Sequence, residues 1–183
     1  MLARLAVLFA FAVALAMPAA AQTPASPDNI LVLETNKGTV EIALRPDLAP
    51  QHVARIKELA REGFYDGVVF HRVIDGFMAQ TGDPTGTGAG GSKLPDLKAE
   101  FTATPYQRGT VGMARTAQST DTANSQFFIM FNRVPSLDGQ YTVFGEVTEG
   151  MNVVDTIKKG SQSANGQVTN PDKIVKAYIK ADK

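Results

Sequence analysis

Residues 70–80 read Phe70-His71-Arg72-Val73-Ile74-Asp75-Gly76-Phe77-Met78-Ala79-Gln80. Two polar side chains, Arg72 and Gln80, stand here among aromatic and apolar neighbours. Residues 126–130 repeat the pattern, with Gln126 followed by Phe127, Phe128, Ile129 and Met130. In a strand, Gln126 and Phe128 are predicted to face one side of the sheet, and Phe127 and Ile129 the other. Buried polar groups need hydrogen-bond partners. An arginine and two glutamines in such strands therefore indicate a hydrated groove lined with aromatic side chains.

The rest of the chain alternates short apolar runs with turns. Runs at 30–35 and 39–44 flank a turn at 36–38, which predicts a β-hairpin. Apolar residues recur on one face from Pro50 to Gly63, which predicts a helix, and a second helix is predicted over 151–159. Further strands are predicted at 68–74, 77–80, 110–114, 126–130, 142–147 and 173–180. Short strands with two helices favour a mainly β domain, a closed antiparallel barrel whose ends the helices cap.

The first residues have the pattern of a cleavable signal peptide. One positive charge at Arg4 precedes an apolar run at 5–17, and small residues follow at 19–21. The alternative is a membrane anchor, but the run is short for a transmembrane helix. We therefore expect a signal peptide at 1–21, a flexible lead-in at 22–28 and one folded domain at 29–183. This organisation implies a periplasmic protein without membrane contact after cleavage.

The composition excludes several kinds of chemistry. The chain has no cysteine, only two histidines and a formal net charge of zero. Disulfides, a catalytic thiolate and a His-rich metal site are therefore excluded, and nucleic acid is not expected as a partner. The Gly-rich segment 82–92 lacks the ending of a phosphate-binding loop. We predict neither metal nor cofactor, and we expect His71 to be a hydrogen-bonded scaffold residue and His52 a surface residue.

The segment 70–83 resembles the signature of the cyclophilins, which are prolyl cis–trans isomerases. Blocks at 109–114, 125–129, 137–139 and 143–145 resemble the later cyclophilin blocks in the same order. The resemblance spans residues 30–179, and the short loop at 82–88 resembles that of the exported bacterial subgroup. It implies an eight-stranded barrel with two capping helices, a proline groove on the outer face, and proline-containing polypeptides as substrates.

The resemblance also implies roles for individual residues. Arg72 matches the catalytic arginine, which stabilises the pyramidal prolyl nitrogen of the twisted transition state. Gln80, the second predicted catalytic residue, matches a polar residue of the groove. The apolar pocket for the proline ring would comprise Phe77, Met78, Phe128 and Leu137. The other substrate-binding positions would be Gly88, Ala114, Arg115, Gln126 and Tyr141.

Three positions depart from the family pattern. Ser136 lies where many members have tryptophan, Tyr141 replaces a groove histidine, and Arg115 replaces an asparagine. Because loss of an indole removes apolar surface and a hydrogen-bond donor, we expect weak cyclosporin binding with isomerase activity retained. We also expect a monomer. Two alternatives stay open: a binding module with chaperone activity that has lost catalysis, and an exported barrel that carries small ligands, which the many large apolar strand residues disfavour.

Overall fold

The computed structural model describes residues 25–183 of the chain. The predicted signal peptide at 1–21 and the first part of the predicted lead-in lie outside the described residues. The described end of the lead-in forms a 3-10 turn, Pro27–Asn29, in which the backbone N–H of Asn29 donates to the carbonyl of Ser26 at 2.7 Å. Within the described range, no helix has both the length and the apolar character needed to cross a membrane.

The described chain contains eight strands and two helices, which confirms the predicted mainly β class. The helices are α1 (Pro50–Arg61) and α2 (Met151–Thr156). All strand pairings are antiparallel, and the strands follow one another across the sheet in the order β3-β4-β6-β5-β7-β2-β1-β8. The strands are β1 (Ile30–Thr35), β2 (Gly38–Leu44), β3 (Arg72–Ile74), β4 (Met78–Thr81), β5 (Thr110–Met113), β6 (Phe127–Met130), β7 (Val143–Glu149) and β8 (Ile174–Ile179).

Local sequence explains where several elements begin and end. Gly38 has a φ of +138°, which a residue with a side chain rarely adopts, and it closes the predicted turn between β1 and β2. Pro50 lies in the first turn of α1, where its missing N–H leaves no hydrogen bond unmade. Helix α2 is shorter than the predicted 151–159, because Ile157 turns to an extended ψ of 132° and its side chain is buried in the core.

The start of α1 is anchored by a residue far along the chain. The carboxylate of Glu100 accepts the backbone N–H groups of Gln51 at 3.2 Å and His52 at 3.1 Å, and it lies 2.6 Å from Nδ1 of His52. The His52 side chain is fully buried, so the expected surface position is wrong. His52 lies one helical turn before Ile56 and therefore shares the face that packs on the core.

The expected closed barrel is wrong in one respect, because no continuous ladder joins the two ends of the sheet. Strands β3 and β8 lie at opposite ends of the strand order and do not pair with each other. Near this gap the described residues form only the isolated bridges Val69–Lys173 and Arg72–Gln167, and neither joins a residue of β3 to a residue of β8. The intervening residues 157–173 occupy this edge instead, and the carbonyl of Gly166 accepts the N–H of Val73 at 2.8 Å. The sheet is thus a curled, incompletely closed barrel.

Strand alternation divides the apolar residues between two clusters. Phe127 and Ile129 of β6 point into the main core between the sheet and the helices. Phe128 and Met130 point to the opposite face and form a second cluster with Met78 and Tyr106. The predicted alternation in residues 126–130 is confirmed, because successive side chains of a strand face opposite sides of a sheet. The second cluster forms the floor of the groove described next.

Candidate functional site

Three neighbouring strands bring the polar and aromatic residues of the groove into one row. The strand register pairs Arg72 of β3 with Gln80 of β4, and Gln80 with Phe128 of β6. Residues directly opposite one another on antiparallel strands share a face and lie in contact distance. The row therefore sets a guanidinium, an amide and an aromatic ring side by side on the outer surface of the sheet.

A chain of hydrogen bonds connects this row to the Gly-rich loop. Nη1 of Arg72 donates to Oε1 of Gln80 at 3.1 Å, and Nε2 of Gln80 donates to Oε1 of Gln126 at 2.9 Å. Nε2 of Gln126 then donates to the carbonyls of Gly88 at 3.0 Å and Gly90 at 2.8 Å. Each glutamine thus accepts a hydrogen bond with its oxygen on the side of Arg72 and donates with its nitrogen on the side of the Gly-rich loop. This arrangement fixes the orientation of the Arg72 guanidinium.

Asn165 holds Arg72 from the other side, a contact that no pattern in the sequence predicts. Nε of Arg72 donates to the backbone carbonyl of Asn165 at 3.0 Å, and Nη2 donates to Oδ1 of the same residue at 3.1 Å. Asn165 has a φ of +52° at the end of the 3-10 turn Gln162–Ala164. The Asn165-Gly166 dipeptide is a turn signal that could have marked this bend, but nothing local connects it to Arg72.

The cavity beside Arg72 has a volume of about 460 Å³ and combines an apolar floor with a cationic edge. Burial lowers the pKa of the Arg72 guanidinium, and Tyr141 acts in the opposite direction. Arginine nevertheless stays protonated in proteins. The predicted residues that line this cavity are Arg72, Phe77, Met78, Gln80, Ala114, Arg115, Phe128, Leu137 and Tyr141.

The floor of this cavity rests on a buried tyrosine. The ring of Tyr106 stacks on Phe128 with centroids 5.7 Å apart and an interplanar angle of 24°. Tyr141 meets Phe128 edge to face at 5.7 Å. The Tyr106 hydroxyl is buried and has no hydrogen-bond partner among the described residues. It fits because position 112 is glycine: a Cβ there would lie 2.3 Å from that hydroxyl oxygen.

A second cavity of about 410 Å³ adjoins the first, and Gln80, Ala114 and Arg115 line both. The predicted residues Gly88 and Gln126 line this second cavity. Its far side includes Asp96, whose Oδ1 accepts Nδ2 of Asn124 at 2.9 Å. All predicted site residues therefore lie on one of two connected cavities, whereas Ser136 is exposed on the 3-10 turn Pro135–Leu137 and does not line the first cavity.

The Gly-rich loop is organised around a buried carboxylate. Asp83 accepts backbone N–H groups from Thr85 at 2.7 Å, Gly88 at 2.6 Å and Gly90 at 3.1 Å, in addition to the Thr85 hydroxyl. Burial opposes ionisation of Asp83, but these hydrogen bonds outweigh it and hold its pKa at about 2. The loop is therefore a fixed structure that presents the Gly88 and Gly90 carbonyls to Gln126.

His71 lies beneath this loop and differs from the expected hydrogen-bonded scaffold residue. Its side chain is buried, as a scaffold role requires, but neither ring nitrogen has a hydrogen-bond partner among the described residues. Burial lowers its pKa, although Asp83 acts in the opposite direction. In the part of the chain that the structure describes, no three His, Asp or Glu side chains gather where they could hold a metal ion.

The chain matches the family model described as cyclophilin type peptidyl-prolyl cis-trans isomerase/CLD over residues 30–179. It is 58% identical over 169 residues to a probable peptidyl-prolyl cis-trans isomerase of Brucella suis biovar 1 (strain 1330), covering 86% of each chain. It is 47% identical over 132 residues to a peptidyl-prolyl cis-trans isomerase of Helicobacter pylori (strain J99 / ATCC 700824), covering 70% of this chain and 80% of the relative.

Two solved structures share the fold. A cyclophilin from Hirschia baltica superposes with a TM-score of 0.78 at 29% identity, covering 87% of this chain and 76% of its own. A cyclophilin type peptidyl-prolyl cis-trans isomerase from Cryptosporidium parvum, crystallised in the presence of the dipeptide Ala-Pro, superposes with a TM-score of 0.75 at 28% identity. That match covers 82% of this chain and 98% of the other.

Proposed function

Because this chain belongs to the cyclophilin family of peptidyl-prolyl cis-trans isomerases, we propose that it accelerates rotation about Xaa-Pro bonds in exported polypeptides, with Arg72 as the catalytic group. The assignment of Arg72 as the catalytic group rests on one observation: Gln80 and Asn165 hold its guanidinium at the edge of an apolar cavity. The crystal structure of the Cryptosporidium parvum relative in the presence of Ala-Pro supports a proline-containing peptide as the substrate.

The reaction requires electrostatics and shape but no bond-breaking chemistry. Amide resonance opposes rotation with a barrier of ~18–20 kcal/mol. In the twisted transition state the prolyl nitrogen becomes pyramidal and regains its lone pair. A guanidinium directed at that nitrogen donates a hydrogen bond that the planar ground state cannot accept equally well, and it thereby lowers the barrier. A reduction of ~4–7 kcal/mol corresponds to roughly 10³–10⁵-fold acceleration.

The remaining residues hold the substrate while one side of the bond rotates. The proline ring would occupy the apolar floor formed by Phe77, Met78, Phe128 and Leu137, which line the cavity beside Arg72. Gln80 would orient Arg72 through their hydrogen bond. It would also orient the peptide, because it lines both cavities. The other predicted contacts, with Gly88, Ala114, Arg115, Gln126 and Tyr141, would bind the flanking peptide backbone.

We further propose that the protein acts in the periplasm as a monomer after removal of residues 1–21. The support is the charge, apolar run and small residues at the start of the sequence. Expression of the full chain in a Gram-negative host tests this proposal. We expect the protein in the periplasmic fraction, with Gln22 at its amino terminus and a monomeric mass. A cytoplasmic protein that retains Met1 would contradict the export proposal without affecting the isomerase proposal.

The isomerase proposal is tested by measuring cis–trans exchange of an Ala-Pro peptide with residues 22–183 and its variants. We expect Arg72→Ala to lower kcat/KM by roughly 10²-fold or more. Arg72→Lys should also be damaging, because an ammonium lacks the planar fork of donors. Arg61→Ala is the matched control, since Arg61 pairs with Asp182 and does not line either groove cavity. Peptide binding without exchange in the wild-type protein would support the binding module instead.

A further inference from the structure

Arg115 is a preorganised cation at the wall that the two cavities share. Its Nε donates to the carbonyl of Gln140 at 3.2 Å, and its Nη1 donates to the carbonyl of Thr116 at 3.0 Å. Its guanidinium carbon lies 4.6 Å from the ring centroid of Tyr141. The stacking on the Tyr141 ring and the hydrogen bonds to two carbonyls hold the Arg115 guanidinium in one orientation. Little side-chain entropy is therefore lost when the guanidinium binds a ligand.

Part of this guanidinium is left for a ligand. Nη2 of Arg115 makes no hydrogen bond with a described residue, and within residues 25–183 no carboxylate forms an ion pair with Arg115. The side chain is only partly buried, so an incoming group can reach it. A guanidinium with free donors binds a carboxylate better than it binds a neutral amide.

The charges that line the cavities are unevenly distributed. The cavity beside Arg72 has two cations in its wall, Arg72 and Arg115, and no carboxylate. The second cavity adds one carboxylate, Asp96, on an exposed part of the wall. A negatively charged side chain near Arg115 would therefore be attracted, whereas a lysine at the same place would be repelled by both arginines.

The placement of proline determines which part of a substrate passes Arg115. With the ring on the apolar floor and the prolyl nitrogen facing Arg72, the preceding residue extends from that nitrogen. Gln80, which binds Arg72, lines both cavities, as do Ala114 and Arg115. In this placement, the residues before the proline would run along the shared wall toward the second cavity.

We propose that Arg115 makes this enzyme selective for substrates with an acidic side chain at one of the two positions preceding the proline. The proposal rests on the isomerase function above and specifies its substrate class. Arg115 acts here through its side-chain charge, in addition to the substrate contact that the family resemblance implies for this position.

The test compares isomerisation of two peptide series, Ala-Xaa-Pro-Phe and Xaa-Ala-Pro-Phe, with Glu, Gln or Lys at Xaa. In the wild-type protein we expect kcat/KM for Glu to exceed that for Gln by about three-fold in one series, as for a partly exposed ion pair. Glu should exceed Lys by about ten-fold in the same series. Raising the salt concentration from 0.05 to 0.5 M should reduce both ratios, because exposed charges are screened.

Three variants distinguish an effect of the Arg115 charge from a structural effect of replacing the side chain. In Arg115→Gln the Glu-to-Gln ratio should fall to about one, whatever the absolute rate on the Gln peptide, whereas Arg115→Lys should retain part of the ratio. Asp96→Asn is the control, and it should leave the ratio unchanged or raise it, because it removes the only carboxylate of the second cavity wall.

The outcomes distinguish this inference from the proposed function. Equal rates on Glu and Gln peptides in the wild-type protein, or an unchanged preference in Arg115→Gln, would overturn the selectivity while leaving the isomerase intact. Failure of the wild-type protein to isomerise any of the peptides would overturn the proposed function and the selectivity with it.

Discussion

Asn165 binds the guanidinium of Arg72 with two acceptors of one residue, its backbone carbonyl at 3.0 Å and its side-chain oxygen at 3.1 Å, across 93 positions of sequence. Gln80 binds the same guanidinium from the opposite side. Arg72 is thereby held between a strand neighbour and a distant loop. With Arg72 as the proposed catalytic group, Asn165 would be a positioning residue, because it contacts Arg72 and would act on the substrate only through it.

Replacing the Asn165 side chain should lower the rate more than substrate binding. Asn165→Gly removes Oδ1 but keeps the carbonyl, and glycine tolerates the φ of +52°. Loss of one hydrogen bond to a charged group should reduce kcat by roughly ten-fold with little change in KM. Asn170→Gly is the matched control, because Asn170 has a φ of +51° and does not contact Arg72. An unchanged kcat in Asn165→Gly would contradict the positioning role.

Removing the buried hydroxyl of Tyr106 should stabilise the protein. This hydroxyl has no partner among the described residues, and burying an unsatisfied hydroxyl is unfavourable. We expect Tyr106→Phe to raise the free energy of unfolding by about 1 kcal/mol in urea denaturation. The control is Tyr65→Phe, since the Tyr65 hydroxyl is also buried but donates to the carbonyl of Ser125 at 3.1 Å. In Tyr65→Phe the free energy of unfolding should fall by about 1 kcal/mol. A Tyr106→Phe variant less stable than the wild-type protein would refute the prediction.

The Asp83 carboxylate should contribute stability that disappears in acid. Its pKa of about 2 in the folded protein lies below the ordinary value of about 3.9. The folded state thus favours the ionised form, and the contribution is complete above about pH 4 and is lost as the pH falls toward 2. Asp83→Asn should lower the free energy of unfolding by about 2 kcal/mol at pH 7.

In denaturation experiments, the difference in free energy of unfolding between the wild-type protein and Asp83→Asn should therefore shrink steadily below pH 4. Asp28→Asn provides the control, because Asp28 is exposed on the 3-10 turn Pro27–Asn29 and accepts no comparable set of hydrogen bonds. A difference for Asp83→Asn that stays constant from pH 7 to pH 2 would argue against this role of the carboxylate.

Cyclosporin should bind weakly, because Ser136, close to the cavity beside Arg72, lies where the family resemblance implies a tryptophan in many members. Ser136 is exposed next to Leu137, which lines the cavity. Ser136→Trp would add apolar surface and an indole N–H, and we expect it to tighten the Kd by about ten-fold or more in calorimetric titration. Val175→Trp, at an exposed position of β8, should leave the Kd unchanged. Wild-type affinity equal to that of tryptophan-bearing members would disprove the expectation.

Much of the fold follows from short-range pattern. The two-residue alternation in 126–130 correctly divided Phe127 and Phe128 between opposite faces of the sheet, because pleating is a local property of a strand. Pro50 and Gly38 likewise marked a helix start and a turn through their own backbone preferences. The groove was also foreseeable, because an arginine and glutamines among aromatic residues require partners and solvent.

The sequence by itself determined which residues could form strands, helices and a polar groove. Only the tertiary structure decided which distant groups meet there: Asn165 at Arg72, Glu100 at His52, and residues 157–173 along the edge where a closed barrel would have continued. The physical reason is that backbone preference and side-chain periodicity act over a few neighbours. A hydrogen bond between residues 93 positions apart exists only after packing has brought their two segments together.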